Sequence, residues 1–481
     1  MKTDLFRAEK LFFSFTTTED MHSPQPALEW HRYIGSDPNK EISRLMTNKN
    51  PTFRGAEPTW ANACVGNNGQ PSYVEYSEGF SKAANILIDL VINDRSTRFS
   101  VDEFVYPVCF NMRHSVELRL KGAIDEIIEI AKLKKINIHF NSSSSHDINI
   151  IWSFFKTQSE NIDKRYIAAN QRAEATILDI AETEPTGQTF RYPISNDSQK
   201  HLTDVSVINF ILLKKKFNEL EKNLDSLHKL NNWLQSEYNQ GSFTEKLSRP
   251  EIFRVAKELP RIEKWRDEEF TSVKDRIKTE YGLGSRDFSK AVDVIKKHYN
   301  LAPLINSPLP LKGISEEKLL RFIGEWFKEN PDFRKDQDTP YTEIKFDRES
   351  LLERLIARGT PQNKVWDAFT NEVDAEYLAG IETLFYFARD REFVEYYDRL
   401  FDIYLAQANA NLAHGTNLKD DFMHIFSKSN AIDNILISLF SLQHIALAES
   451  IIGIYNLEGA FKWLDDARSG RLFAYPDYAG Y

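Results

Sequence analysis

The chain has 481 residues with 61 Lys+Arg against 71 Asp+Glu, a formal charge of −10, and 41% of it is hydrophobic, enough to build cores and too much for a disordered chain. Two cysteines, Cys64 and Cys109, exclude a disulfide scaffold or a cysteine-based zinc site, and the acidic balance disfavours sequence-blind binding of nucleic acid while leaving room for a local basic patch. No apolar run reaches the roughly 20 residues that cross a bilayer and the amino end carries Asp4 and Glu9 rather than an apolar leader, so the expectation is a cytoplasmic protein of two to four domains.

Residues 1–75 read as an irregular arm, punctuated by Pro24, Pro26, Pro38, Pro51, Pro58 and Pro71. The arm contains one strand-like run, Lys10 to Thr18, and three aromatic anchors, Trp30, Tyr33 and Trp60. From residue 76 the apolar residues recur at helical spacing, with Ser77 as the expected N-cap. Ser100-Val-Asp-Glu103 is a capping box for the next helix, which Pro107 either kinks or restarts. Phe110, Val116, Leu120, Ile124, Ile127 and Ala131 continue it as one apolar stripe. Ser145 is read as the cap of a helix holding Ile148, Ile151, Trp152 and Phe155, and a further helix is expected over about 158–182.

After a break at 182–199, residues 205–234 read as one long helix with a leucine-rich seam, which packs internally or pairs with a second copy of the chain. Residues 248–299 are helical with an interruption at Gly282-Leu-Gly284, and Leu301 to Lys312 reads as a linker because it holds three prolines. Ser315 caps a helix stopped before Pro331, Thr360-Pro361 opens another, and 432–454 reads as one buried helix. The tail from Phe473 to Tyr481 reads as loop. The expected architecture is all-α: an irregular arm at 1–75, a multi-helix bundle at 76–240, a helical extension at 241–300 and a carboxyl-terminal helical domain at 313–481.

Phosphate-loop, zinc-helix and nucleophile-elbow motifs are missing, and no histidines pair at metal-ligand spacing, so no metal or cofactor is expected. One segment concentrates chemistry. Arg113, His114, Glu117 and Lys121 follow one another so that His114, Glu117 and Lys121 share a helix face. His146-Asp147 comes later at a helix start, and Phe190-Arg191-Tyr192-Pro193 lies in the break. His114 is either a general base or phosphate contact or a histidine hydrogen-bonded between packed helices. Arg113 is either a phosphate ligand or half of an ion pair, and Glu117 with Lys121 reads first as a structural pair. Asp147 suits a helix cap. Arg191-Tyr192-Pro193 reads as a turn that lays Tyr192 on the helices and sends Arg191 to a buried acid such as Glu117. The lysine runs 132–135 and 214–216 read as solvated faces, and the aromatics Phe385, Phe387 and Tyr397 as core.

In this order, Glu117-x-x-x-Lys121, His146-Asp147 and Arg191-Tyr192-Pro193 resemble the signatures of the HEPN superfamily of helical domains over about 76–240. The resemblance implies a helical bundle, often dimeric, that serves either as a ribonuclease of toxin or antiviral defence systems or as an inactive binding module. Catalytic members carry an arginine followed after four to six residues by a histidine, and no arginine here has that spacing. The resemblance therefore implies an atypical or inactive HEPN-like module for a protein, nucleotide or RNA partner, or else a metal-independent ribonuclease with a displaced site. The candidate catalytic residues are His114, Arg113, His146 and Arg191, and the candidate binding residues are Glu117, Lys121 and Tyr192.

Overall fold

The computed structural model describes residues 50–69, 71–94, 99–194, 202–331, 333 and 364–481. All regular elements among them are helices. The chain divides into two compact units, Met1–Pro71 and Ser72–Tyr481. In the first, the described residues form two short turns, Thr59–Ala61 and Gly66–Asn68. Trp60 is exposed rather than anchored in a core. The strand-like run at Lys10, with Trp30 and Tyr33, lies outside the described residues, as does Thr360-Pro361.

Three hydrophobic cores make up the second unit. The first is a bundle of α1 (Tyr73–Asn93), α2 (Val101–Leu133), α3 (Ile148–Ile162), α4 (Arg165–Thr183) and α5 (Phe210–Tyr238). Ser72, not Ser77, starts α1: its side chain and that of Glu75 close a reciprocal capping box, and Ser77 is buried one turn in. Helix α2 begins where expected, at Ser100, and runs through Pro107 without a restart. Asp147 rather than Ser145 caps α3, accepting from the Asn149 N–H at 2.8 Å. The boundary expected near 158 lies instead at Asp163: α3 runs on to Ile162, and the Asp163 carboxylate binds the Arg165 backbone N–H at 2.9 Å and so opens α4. Asn209 caps α5 in the same way.

The seam of α5, from Phe217 through Leu220, Leu224, Leu227 and Leu230 to Leu234, is buried in the bundle core against Trp152, Phe155 and Tyr166. It is internal. Lys134 departs from the solvated-face expectation, since it lies over the Tyr238 ring at 4.7 Å and donates to the Ile162 carbonyl.

The second core is built from α6 (Arg249–Glu258), α7 (Glu268–Glu280) and α8 (Ser285–Lys296). Leu301, Ala302 and Ile305 are buried, and Leu301 and Ile305 join this core, so the first half of the expected linker is packed structure; its apolar residues outweigh the local effect of its prolines.

The third core contains α9 (Glu316–Glu329), α10 (Ala375–Phe387), α11 (Tyr396–Ala413), α12 (Lys419–Phe426), α13 (Ala431–Ser441), α14 (Ile445–Ile454) and α15 (Leu464–Arg468). Ser315 caps α9 as expected, accepting from the Lys318 N–H at 3.3 Å. The single helix expected at 432–454 breaks where Gln443 takes a φ of 63°. Phe385, Phe387 and Tyr397 are fully buried. Gly380 lets the 312–314 segment cross α10 closely: a Cβ at 380 would lie 2.8 Å from the Lys312 carbonyl oxygen. Among the described residues, no helix is long and apolar enough to cross a membrane.

A continuous polar chain ties the cores together. Arg165 holds Asp163 through two bonds at 2.9 and 2.8 Å and Glu237 through two more at 3.0 and 2.6 Å. Glu237 accepts from the Tyr481 hydroxyl at 2.6 Å, and that hydroxyl accepts from Arg249 at 2.6 Å. Arg249, with 1% of its surface exposed, pairs with Glu395 at 2.8 and 3.1 Å and is ringed by Phe253, Phe393, Tyr475 and Tyr481. The tail read as loop is therefore tied to the molecule by the Tyr481 hydroxyl and by Ala479, which is wholly buried, while Tyr478 and Gly480 stay at the surface.

Candidate functional site

The site grows from one buried carboxylate. Glu117 sits mid-way along α2 with 4% of its side chain exposed. Residues one helical turn to either side reach it: Arg113 bonds Oε2, and Lys121 Nζ lies 2.8 Å from Oε1. His146, just before α3, brings its Nδ1 to 2.9 Å from Oε1, and His114 brings its own Nδ1 to 3.7 Å from Oε2. Burial alone would raise the Glu117 pKa. The contacts from His114 and Lys121, the charge of Arg113 and the bond from His146 outweigh that and hold the carboxyl well below the usual range. Glu117 is therefore a fixed negative charge.

Arg113 is enclosed. Its Nε donates to the Glu184 carbonyl at 3.2 Å, Nη2 to the Pro185 carbonyl at 2.8 Å and to the His146 carbonyl, and Nη1 to Glu117. Gly187, with a φ of +80°, backs the guanidinium, and a Cβ there would stand 3.2 Å from Nη1. Arg113 thus orders Glu117, the α3 start and the 184–187 turn, and has little left to offer an incoming phosphate. The Glu184 side chain closes the same turn by accepting from the Thr189 and Phe190 N–H groups at 3.0 and 2.7 Å.

Phe190 is the residue of this turn that enters the core, while Tyr192, expected on the helices, is half exposed. Arg191 does not reach Glu117; Arg113 already occupies that position. Arg191 instead lies over the rings of Phe110 and Tyr192, at 5.6 and 5.3 Å. Phe110 also stacks on His114 at 5.7 Å, and Phe80 meets the same imidazole edge-on at 4.4 Å.

His146 has 60% of its side chain exposed and His114 has 30%. An ionised carboxylate only accepts hydrogen bonds, so His146, bonded to it, carries its proton on Nδ1 and leaves Nε2 with a lone pair when neutral, whereas His114 stands within ion-pair range of the same carboxylate. Neither Nε2 has a protein partner among the described residues. The arrangement presents two imidazoles supported from behind by one carboxylate, a pattern suited to taking and giving protons. A cleft of about 890 Å³ begins beyond Arg191, lined by Val101, Tyr106, Phe190, Tyr192 and Val205 among others.

The structure brings Arg113, His114, Glu117, Lys121 and His146 into one network, with Arg191 joined through Phe110 and Tyr192 at the cleft. Sequence reasoning missed Phe80, Phe110, Glu184 and Gly187. Phe110, four residues before His114 on α2, was the one with a readable signal. Cys109, buried beside this network, has its thiol pushed up to about 12 by burial and by the charge of Glu184, which leaves it protonated and unreactive near neutral pH. Among the described residues no cluster of three His, Cys, Asp or Glu side chains is arranged to hold a metal ion. Comparison with protein-family models, with curated proteins and with solved structures finds no match for this chain.

Proposed function

We propose that the chain is an atypical HEPN-like module that acts on RNA by metal-independent acid–base chemistry at His114 and His146. The observation that carries this reading is the pair of solvent-reaching imidazoles resting on the ionised, buried Glu117. In the reaction, one Nε2 takes the proton of a ribose 2′-hydroxyl, the 2′-oxygen bonds to phosphorus, and the bond from phosphorus to the 5′-oxygen breaks. The other imidazole, protonated, gives its proton to the leaving 5′-oxygen. Arg191 over Phe110 and Tyr192, with Tyr106 in the adjoining cleft, supplies a cation and aromatic faces of the kind that hold single-stranded RNA. The resemblance of 76–240 to HEPN domains supports this assignment and is the ground for reading the chain as part of a cytoplasmic defence or toxin-type system. A homodimer belongs to the same proposal, with the exposed stripe Tyr76, Ile86 and Leu90 of α1 as the contact face.

One observation favours a second reading, an inactive module that binds a protein or nucleotide. Arg113, which shares the Glu117 carboxylate with the two histidines, has four of its five donors engaged inside the protein. Incubation of the purified chain with total RNA and transfer RNA, beside His114→Ala/His146→Ala, separates the two. Cleavage by the wild type that disappears in a folded double variant supports the acid–base site. Equal cleavage by both proteins rejects it, and binding of RNA or partner without cleavage supports the inactive module.

A further inference from the structure

A second concavity, far along the chain from Glu117, opens where the three cores of the Ser72–Tyr481 unit meet. It encloses about 310 Å³ and is walled by the Asn239–Ser242 loop after α5, by Lys297 to Tyr299 after α8, and by Val394 to Arg399 leading into α11. That volume is at the lower end of small-molecule sites.

The floor is a closed polar unit. His298 is buried, and its Nδ1 accepts from the Asn300 N–H at 3.1 Å. A neutral ring so held carries its proton on Nε2 and donates it to Glu395 Oε1 at 3.1 Å. Arg249 occupies the rest of the Glu395 carboxylate at 2.8 and 3.1 Å. On the walls, Asp398 pairs with Lys312 at 2.9 Å, and Arg399 donates to Gln240. Every acid at the pocket is thus matched by a cation of the protein. Lys297, Ser242 and Asn239 also line it, and their side chains have no hydrogen-bond or ion-pair partner among the described residues. Counting the charges at the pocket and directly bonded to it, Lys297, Arg399, Arg249 and Lys312 stand against Glu395 and Asp398, four minus two, a surplus of two positive charges. The chain as a whole carries −10.

We propose that this pocket binds a small molecule through a phosphate group, with Lys297 as the counter-charge and Ser242 and Asn239 as hydrogen-bonding partners. A lysine ammonium is a common point-charge partner of phosphate, and a hydroxyl and an amide can donate to its oxygens. The surrounding acids do not oppose the anion, because internal cations neutralise them. The walls come from all three cores, so the bound molecule contacts each of them and stabilises their association.

The test uses the full chain carrying His114→Ala and His146→Ala, so that the site at Glu117 does not contribute. Isothermal titration calorimetry is run with ribose 5-phosphate, with ribose and with citrate. Saturable binding of ribose 5-phosphate, absent for ribose and weakened about tenfold by Lys297→Glu, is the expected result. Lys297 is exposed, so the variant should keep its fold, which circular dichroism checks, and Lys297→Arg should retain binding. Absence of saturable binding by folded protein up to about 10 mM ligand overturns the proposal. Affinity unchanged in Lys297→Glu, or citrate binding as tightly as ribose 5-phosphate, overturns it equally.

Discussion

Glu117 accepts from Arg113, Lys121 and His146 while almost wholly withdrawn from water, so its charge is the hinge of the site's electrostatics. Glu117→Gln leaves two buried cations without their counter-charge, a situation that costs about 3–5 kcal/mol. Chemical denaturation at pH 7 should show a loss of that order, and wild-type stability in the variant would mean that the network carries little. The pH dependence has a definite sign. In the unfolded chain a glutamate protonates below about pH 4.3, whereas folded Glu117 stays ionised. Its contribution is complete at neutral pH and is lost progressively as pH falls below that value. The glutamine variant should lack this part of the acid limb. The Glu117–Lys121 pair was legible, because both partners lie one helical turn apart. The embrace of Arg113 was not, because its acceptors are backbone carbonyls of residues 146, 184 and 185 that only tertiary packing brings near.

At the level of elements, the caps and apolar spacings located most helices, as Ser100 and Ser315 show. They misplaced boundaries where a neighbouring polar group competes for the same role. Asp147 displaced Ser145 as a cap, Asp163 moved the boundary between two expected helices from about 158 to 163, and Ser72 with Glu75 started α1 early. Periodicity also gives no hint of how closely two segments approach. Gly380 is an unremarkable residue in a helical pattern, yet the 312–314 segment passes directly over it. Gly380→Ala forces backbone apart rather than a flexible side chain, and a cost of about 1–3 kcal/mol is expected, the range for overpacking. An unchanged melting temperature would show that the crossing segment yields freely.

Across the whole molecule, alternating charges link the cores from Asp163 and Arg165 through Glu237 and Tyr481 to Arg249 and Glu395. No local sequence signal announces this, since Arg165 and Arg249 look like ordinary helix-start arginines and the tail, with Pro476 and Gly480, reads as loop. Arg249→Met strands the Glu395 carboxylate with only His298 beside it, and a loss of about 3–5 kcal/mol in urea denaturation is expected. A loss below about 1 kcal/mol would show that the aromatic ring around position 249 suffices without the charge.

The same linkage bears on truncation. A fragment ending at residue 240, the boundary the helical pattern suggests, keeps Glu237 and Arg165 but discards the Tyr481 hydroxyl and the Ala479 carbonyl they bind. It also uncovers Trp233, which packs on Phe393 and Tyr475. Such a piece would expose a wet ionic patch beside a bare indole and tend to self-associate, so silence from an isolated bundle would speak to its severed edge rather than to the role proposed for His114 and His146.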